Sequence, residues 1–300
     1  MIPLMTVIAP LSALALGLFC FMVRIYKRQD QPDWLDTCDR YFLLLLGVSS
    51  LLVKGVEWTL TFATLGLLLG YVLMRLINTH KQPRSNYGHI VKEYVWLFLA
   101  IWLVRSFLVQ PYRVPSGSLE PTVYPGDFLL VNQFKYGFRF PVWNKELITV
   151  DTPKRGDIAV FHYPKDPDTL FVKRVIGEPG DHIQYHNKKL FINGKEIERS
   201  YVENSVTLDK PNQVEMWDEN LDGIQHQVYV NPRLDYGEEV DVVVPEDHYF
   251  VMGDNRDGSH DSRHWGFVSR SHLVGKAMFV WMSVDDVNWR IRFDRIGKWL

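Results

Sequence analysis

From Pro3 to Val23 the chain runs "PLMTVIAPLSALALGLFCFMV" without a charged residue, about the roughly 20 residues that a helix needs to cross a bilayer. The run reads as a membrane-spanning helix. The residues ahead of Pro3 carry no positive charge, which a cleavable leader would place there. Bulky Phe19 precedes Cys20 where a lipoprotein cleavage site wants a small residue, so the segment is expected to remain as an anchor.

Further apolar runs cover Tyr41–Val53, Thr59–Met74 and Tyr94–Val109, giving an expected membrane anchor over residues 1–110 with four spans at about 3–23, 41–56, 58–77 and 94–110. Lys54 and Glu57 cut the second run short, so the region 41–77 reads either as a tight helical hairpin or as one span with an interfacial helix. Arg24, Lys27, Arg28 and Arg40 flank the first loop, and Arg75, Lys81, Arg84 and Lys92 the loop before the last span. Loop cations mark the cytoplasmic side, so with four spans the region after Val109 emerges on the opposite face.

The 33 basic and 35 acidic residues leave a net charge of −2, without the basic excess that neutralising a nucleic-acid backbone requires. Nucleic acid is not an expected partner. Cys20 and Cys38 are the two cysteines, so no disulfide staples the chain after Tyr112. The ten histidines are scattered, no His/Cys/Asp/Glu group has metal-ligand spacing, and no Gly-rich phosphate loop is found; neither metal nor cofactor is expected.

After Tyr112 the long apolar runs give way to short segments rich in branched and aromatic residues, punctuated by Gly, Pro and Asp, the pattern of a mainly β domain over 111–300. "DFLLVNQF", "GDIAVFHYP" and "LFVKRVIG" read as strands, and "KLFINGKEIE" as a hairpin whose Asn193-Gly194 suits a type I′ turn. The polar stretch at about 181–241 reads as an inserted lobe, and strand signals return in "EVDVVVPEDHYFVMGD".

Three segments hold candidate chemistry: "PSGSLEPT" with Ser116 and Ser118, "FVKRVIGEPGD" with Lys173, and "MGDNRDGSHDSRHWG" with Asp254, Asn255, Arg256, Ser259, Asp261 and Arg263. Taken singly, each has an ordinary structural reading: turn hydroxyls, a strand lysine pointing to water, and a loop bonded to itself. Strand alternation changes the weight of Lys173. If Phe171, Lys173 and Val175 share one face and Val172, Arg174 and Ile176 the other, each face carries one cation among apolar neighbours, and one of the two is expected to be half-buried. A lysine stripped of water favours its neutral form and can take a proton from a serine, the Ser-Lys variant of the catalytic triad.

In their order along the chain, "PSGSLEPT", "GDFLLV", "GDIAVF", "FVKRVIGEPGD" and "GDNRDGSHDSRHWG" after a membrane span resemble bacterial type I signal peptidases, also called leader peptidases. The resemblance implies N-terminal transmembrane helices followed by a mainly β catalytic domain with a β-rich inserted lobe. It implies a membrane-bound serine endopeptidase that removes signal peptides from exported preproteins after small-x-small sites. Ser118 would be the nucleophile and Lys173 the general base, with the Ser118 N–H and the Ser116 hydroxyl as the oxyanion hole. Ser259 would hydrogen-bond and orient the lysine amine, and Asp254, Asn255, Arg256, Asp261 and Arg263 would form the supporting loop. Val114, Pro115, Leu119, Phe171 and Val172 adjoin these residues and are the expected walls of shallow pockets for small side chains. Implied partners are signal peptides of secretory preproteins and membrane lipid, for a monomer in the bacterial inner membrane with its catalytic domain on the periplasmic or outer side. Leu119 replaces the methionine usual in the family, and Gly258 and His260 flank Ser259 where Asn and Ala are frequent.

Two other readings remain open on the residues alone. A Ser-His-Asp hydrolase would use His260 or His264 with Asp254 or Asp261, although Ser118 lacks the G-x-S-x-G elbow. A membrane-anchored β scaffold that binds exported chains along a sheet edge would explain the spans and strands, but not the ordered Ser, Lys and Ser.

Overall fold

The structure is a computed structural model that describes residues 99–300 apart from 141–144, 210, 235–238 and 286–287, together with 64, 68 and 95–97. The chain divides into two compact units, Met1–Ser106 and Phe107–Leu300. The expected spans at 3–23 and 41–56 lie outside the described residues, as does 58–77 except for Thr64 and Leu68. Among the described residues no helix is long and apolar enough to cross a membrane.

The last expected span, 94–110, is helical at 95–97 and 99–103 and passes through a π-helical turn at Val104–Leu108. Its final two residues already belong to a strand, where Val109 pairs with Asn132 and Gln110 with Val131. The ladder satisfies backbone groups that a helix ending there would leave open.

The second unit runs through β1 (Val109–Arg113), β2 (Asp127–Asn132), β3 (Gly137–Phe140), β4 (Lys145–Thr149), β5 (Ile158–Tyr163) and β6 (Asp166–Gly177). It continues through β7 (His182–His186), β8 (Lys189–Ile192), β9 (Lys195–Glu196), β10 (Arg199–Val206), β11 (Gln213–Leu221), β12 (Ile224–Val230) and β13 (Val240–Val243). β14 (His248–Met252), a short helix α1 (Ser262–Trp265), β15 (Val268–Ser269), β16 (Leu273–Asp285) and β17 (Arg290–Ile291) complete it. The main sheet has eight strands, in the order β1-β2-β16-β5-β6-β14-β15 with β17 on β16.

Period-two alternation feeds different cores from one strand. Ile158 and Val160 of β5 join Leu119, Leu129, Val131 and Val280 in one cluster, while Ala159 and Phe161 join Val175, Val251 and Trp265 in another. β14 likewise sends Tyr249 and Val251 to the second cluster but Phe250 and Met252 to a third, with Ile176, Ile183 and Tyr185. Because these strands are covered on both faces, their sequences read as continuous apolar runs.

The expected lobe at about 181–241 consists of two small sheets, β13-β7-β8-β9 and β10-β11-β12. Asn193 and Gly194 form the anticipated two-residue turn, with φ of +53° and +78°. Asp222-Gly223 closes β11 onto β12 in the same way, with φ of +51° and +92°. β10 is mostly exposed, which explains why a polar sequence conceals three long paired strands.

Candidate active site

The Ser-Gly-Ser bend folds as a 3-10 turn over Gly117–Leu119, entered from an extended Ser116. Leu119 anchors it, buried in the cluster beneath the main sheet. The adjacent segment from Gly253 to Ser259 supplies the other support. The Asn255 N–H donates to the Ser118 carbonyl at 3.2 Å and its Nδ2 to the Gly117 carbonyl at 3.1 Å. Gly253 is required by close approach: a Cβ there would lie 2.3 Å from the Ser118 carbonyl oxygen and 2.2 Å from Ser259 Oγ.

Lys173 reaches this turn from β6, which pairs Lys173 with Ala159 of β5. Its Nζ lies 2.5 Å from Ser118 Oγ and is 5.7 Å from the centre of the Phe171 ring. Lys173 is 4% exposed and makes no ion pair with any described residue. Burial therefore dominates and brings its pKa down to about 8, against the weaker pull of the Asp261 and Asp254 carboxylates, which favour the charged form. The arrangement places an amine that is readily neutral in direct hydrogen-bond contact with a hydroxyl.

Around this pair the charged residues are closely matched. Arg174 is 3% exposed and donates to both oxygens of Asp254, at 2.8 Å and 2.7 Å, and to the Gly156 carbonyl at 2.9 Å. Burial pushes the Asp254 carboxyl up, but Arg174 and the Thr122 hydroxyl hold it below its ordinary value. Asp261 caps α1 and accepts from Arg263 at 2.8 Å and from the Gly253 N–H at 2.9 Å. Arg256 bonds Glu219 of β11, and His226 of β12 lies 3.3 Å from the same carboxylate.

The structure thus brings Ser118, Lys173, Asp254, Asn255, Arg256, Asp261 and Arg263 together. Ser116 is exposed beside them, with no side-chain hydrogen bond to the turn it precedes. The expectation that Ser259 hydrogen-bonds the lysine amine is corrected: Ser259 Oγ is buried with no hydrogen-bond partner among the described residues, packed instead against Gly253. Lys173 and Arg174 are both buried, not one of the two, because the strand is covered on each face. Of the expected pocket walls, Phe171 and Val172 are half-buried and Pro115 is exposed. Val114 and Leu119, 3% and 1% exposed, form core under the site and present little side-chain surface. His260 and His264 are exposed with ring centres 4.7 Å apart. Sequence reading missed Thr122, Glu219, His226 and Gly253, of which Thr122 and Gly253 carried a signal, in the "PSGSLEPT" and "MGDNRDG" segments.

The family described as "Signal peptidase, peptidase S26" matches residues 87–282. The chain belongs to this family. It is similar to signal peptidase I of Pseudomonas fluorescens, 41% identical over 73% of this chain and 80% of that protein. Signal peptidase I of Buchnera aphidicola subsp. Acyrthosiphon pisum is 34% identical over 86% of this chain and 97% of its own length. A crystal structure of a signal peptidase I from Enterococcus faecalis V583 covers 43% of this chain and 98% of its own at 28% identity, with a TM-score of 0.28, too low to bear on the fold. The protein is accordingly a peptidase of the signal peptidase I family, with a mainly β domain carrying most of the matched region.

Proposed function

We propose that this protein is a membrane-bound serine endopeptidase that removes N-terminal signal peptides from exported preproteins after small-x-small sites. Ser118 is the nucleophile and Lys173 the general base. The reading rests chiefly on one observation: a lysine with no ion-pair partner among the described residues, buried and 2.5 Å from a serine hydroxyl.

Neutral Lys173 Nζ takes the Ser118 proton as Oγ attacks the scissile carbonyl, forming a tetrahedral intermediate. The carbonyl oxygen gains negative charge and receives hydrogen bonds from the Ser118 N–H and the Ser116 hydroxyl. As the intermediate collapses, the lysine ammonium returns its proton to the leaving amine and an acyl-serine remains. The leaving amine is the new N-terminus of the trimmed protein; water, deprotonated by the same lysine, then releases the signal peptide as its carboxylate and restores Ser118.

The substrate enters extended, adding to an exposed sheet edge. β1 is such an edge, terminal in the main sheet, and leads directly into Val114–Ser118. The membrane anchor, in the bacterial inner membrane with residues 111–300 outside, is joined to Ser118 through β1 and the bend that follows it, which tethers the nucleophile to the side on which a signal peptide emerges. The test is cleavage of a purified secretory preprotein by the detergent-solubilised protein beside Ser118→Ala and Lys173→Met, with the product N-terminus sequenced. Cutting after small-x-small by the unmutated protein alone is expected; cutting by either variant at the full rate would sink the assignment.

A further inference from the structure

Glu120 closes the Ser118 turn and is wholly buried, 0% exposed. A carboxylate taken from water persists only where donors replace its hydration. No cation pairs with Glu120 among the described residues. Its donors are instead two backbone groups of the inserted lobe, the Leu208 N–H at 2.8 Å and the Asp209 N–H at 3.1 Å. Both lie in the loop that joins β10 to β11. The same loop answers in the other direction, because Asp209 Oδ2 accepts the Gly117 N–H at 3.1 Å.

Gly117 lies at the centre of this exchange. A Cβ on it would come within 2.3 Å of Glu120 Oε1 and 2.7 Å of Asp209 Cβ, so the middle position of Ser-Gly-Ser tolerates no side chain. Asn255 grips the opposite side through the Gly117 and Ser118 carbonyls. Since the Gly117 carbonyl and the Ser118 N–H share one planar peptide, these contacts also set the direction of the proposed oxyanion donor.

We infer that the lobe loop at 207–209 is a clamp that positions the nucleophile, with Glu120 and Asp209 as positioning residues. The inference rests on Ser118 being the nucleophile. It gives the lobe a part in the reaction: without the clamp the turn keeps only its Leu119 anchor and the Gly253–Ser259 segment, and misplacement by about 1 Å is enough to cost roughly a hundredfold in rate.

The experiment uses the full-length, detergent-solubilised protein, steady-state cleavage of a purified preprotein, and thermal unfolding of each variant. Asp209 is exposed, so Asp209→Ala is expected to fold with nearly unchanged Tm while kcat falls about tenfold at constant KM, the effect of one lost hydrogen bond. Asp209→Asn keeps an acceptor for the Gly117 N–H and is expected within about twofold of the unmutated kcat, since the acceptor rather than the charge is what the bond requires. Glu120→Gln turns a donor toward one of the two N–H groups and is expected to lose more kcat than Asp209→Ala. Full kcat in Asp209→Ala, or equal loss in Asp209→Ala and Asp209→Asn, overturns the clamp. Ser118→Ala in parallel separates the two levels: if it still cleaves, the nucleophile assignment fails and takes the clamp with it, whereas a dead Ser118→Ala beside a fully active Asp209→Ala removes the clamp alone.

Discussion

Lys173 and Arg174 are neighbours on one strand, equally removed from water at 4% and 3% exposure, yet they have opposite fates. Arg174 finds a buried carboxylate that takes two of its hydrogen bonds and a carbonyl that takes a third. Lys173 finds a single hydroxyl. Burial alone therefore does not make a reactive base. What separates the two cations is the counterion, which one face of β6 supplies and the other withholds. The guanidinium stays charged in any case, and its pair with Asp254 braces the segment on which the Ser118 turn rests. The amine is left with a charge that its surroundings do not repay, and that deficit brings its pKa down to about 8.

The comparison is broken most severely at the reactive pair. Ser118→Ala or Lys173→Ala is expected to lower kcat roughly a million-fold with the fold intact, measured by preprotein cleavage alongside circular dichroism.

Next in size is the braced face. Asp254→Ala leaves the Arg174 charge buried and alone and is expected to destabilise the domain by about 3–5 kcal/mol, read from urea unfolding. The double replacement Arg174→Met with Asp254→Leu removes both charges and should recover most of that loss. A single Asp254→Ala that unfolds at the unmutated midpoint would mean the pair is not a brace.

Lys173→Met is expected to act in the reverse sense. Its amine has a pKa of about 8 when folded against 10.5 when free. Between these values the unfolded chain holds a proton that the folded one has released, so stability rises with pH across this window. Below about pH 8 the full opposition to folding persists, about 3 kcal/mol. Lys173→Met should thus stabilise the protein by up to that amount at pH 7 and flatten the rise of stability above pH 8. The same titration governs rate: kcat/KM should climb about tenfold per pH unit below 8 and level off above it. A profile that rises only near pH 10 would contradict an amine tuned by burial.

The smallest expected effect sharpens the role of Ser259. Its buried hydroxyl has no partner among the described residues, so Ser259→Ala removes an unsatisfied group and should change stability by no more than about 1 kcal/mol.

Much of this contrast was legible from alternation along "FVKRVIG", which places Lys173 and Arg174 on opposite faces because successive side chains of a strand diverge. That both faces are covered was not, since it depends on β5 and β14 flanking β6 in the sheet and on three separate clusters closing over them. The turn at Asn193-Gly194 was legible for the same local reason, a backbone that needs positive φ at two successive residues. The long β10 of the lobe was hidden by its exposure, and the link between Glu120 and Asp209 by a separation of 89 positions.

The sequence by itself determined which segments become strands, where the chain bends, and that a serine and a lysine of the proposed dyad lie in a bend and a strand. These follow from backbone preferences and side-chain period, which act over a few residues. Only the tertiary structure decided that Lys173 meets Ser118 across 55 positions while Arg174 meets Asp254 across 80. Contacts at such separation depend on strand order, register and packing of both sheet faces, and those same contacts decide which of two buried cations meets a carboxylate and which meets a hydroxyl.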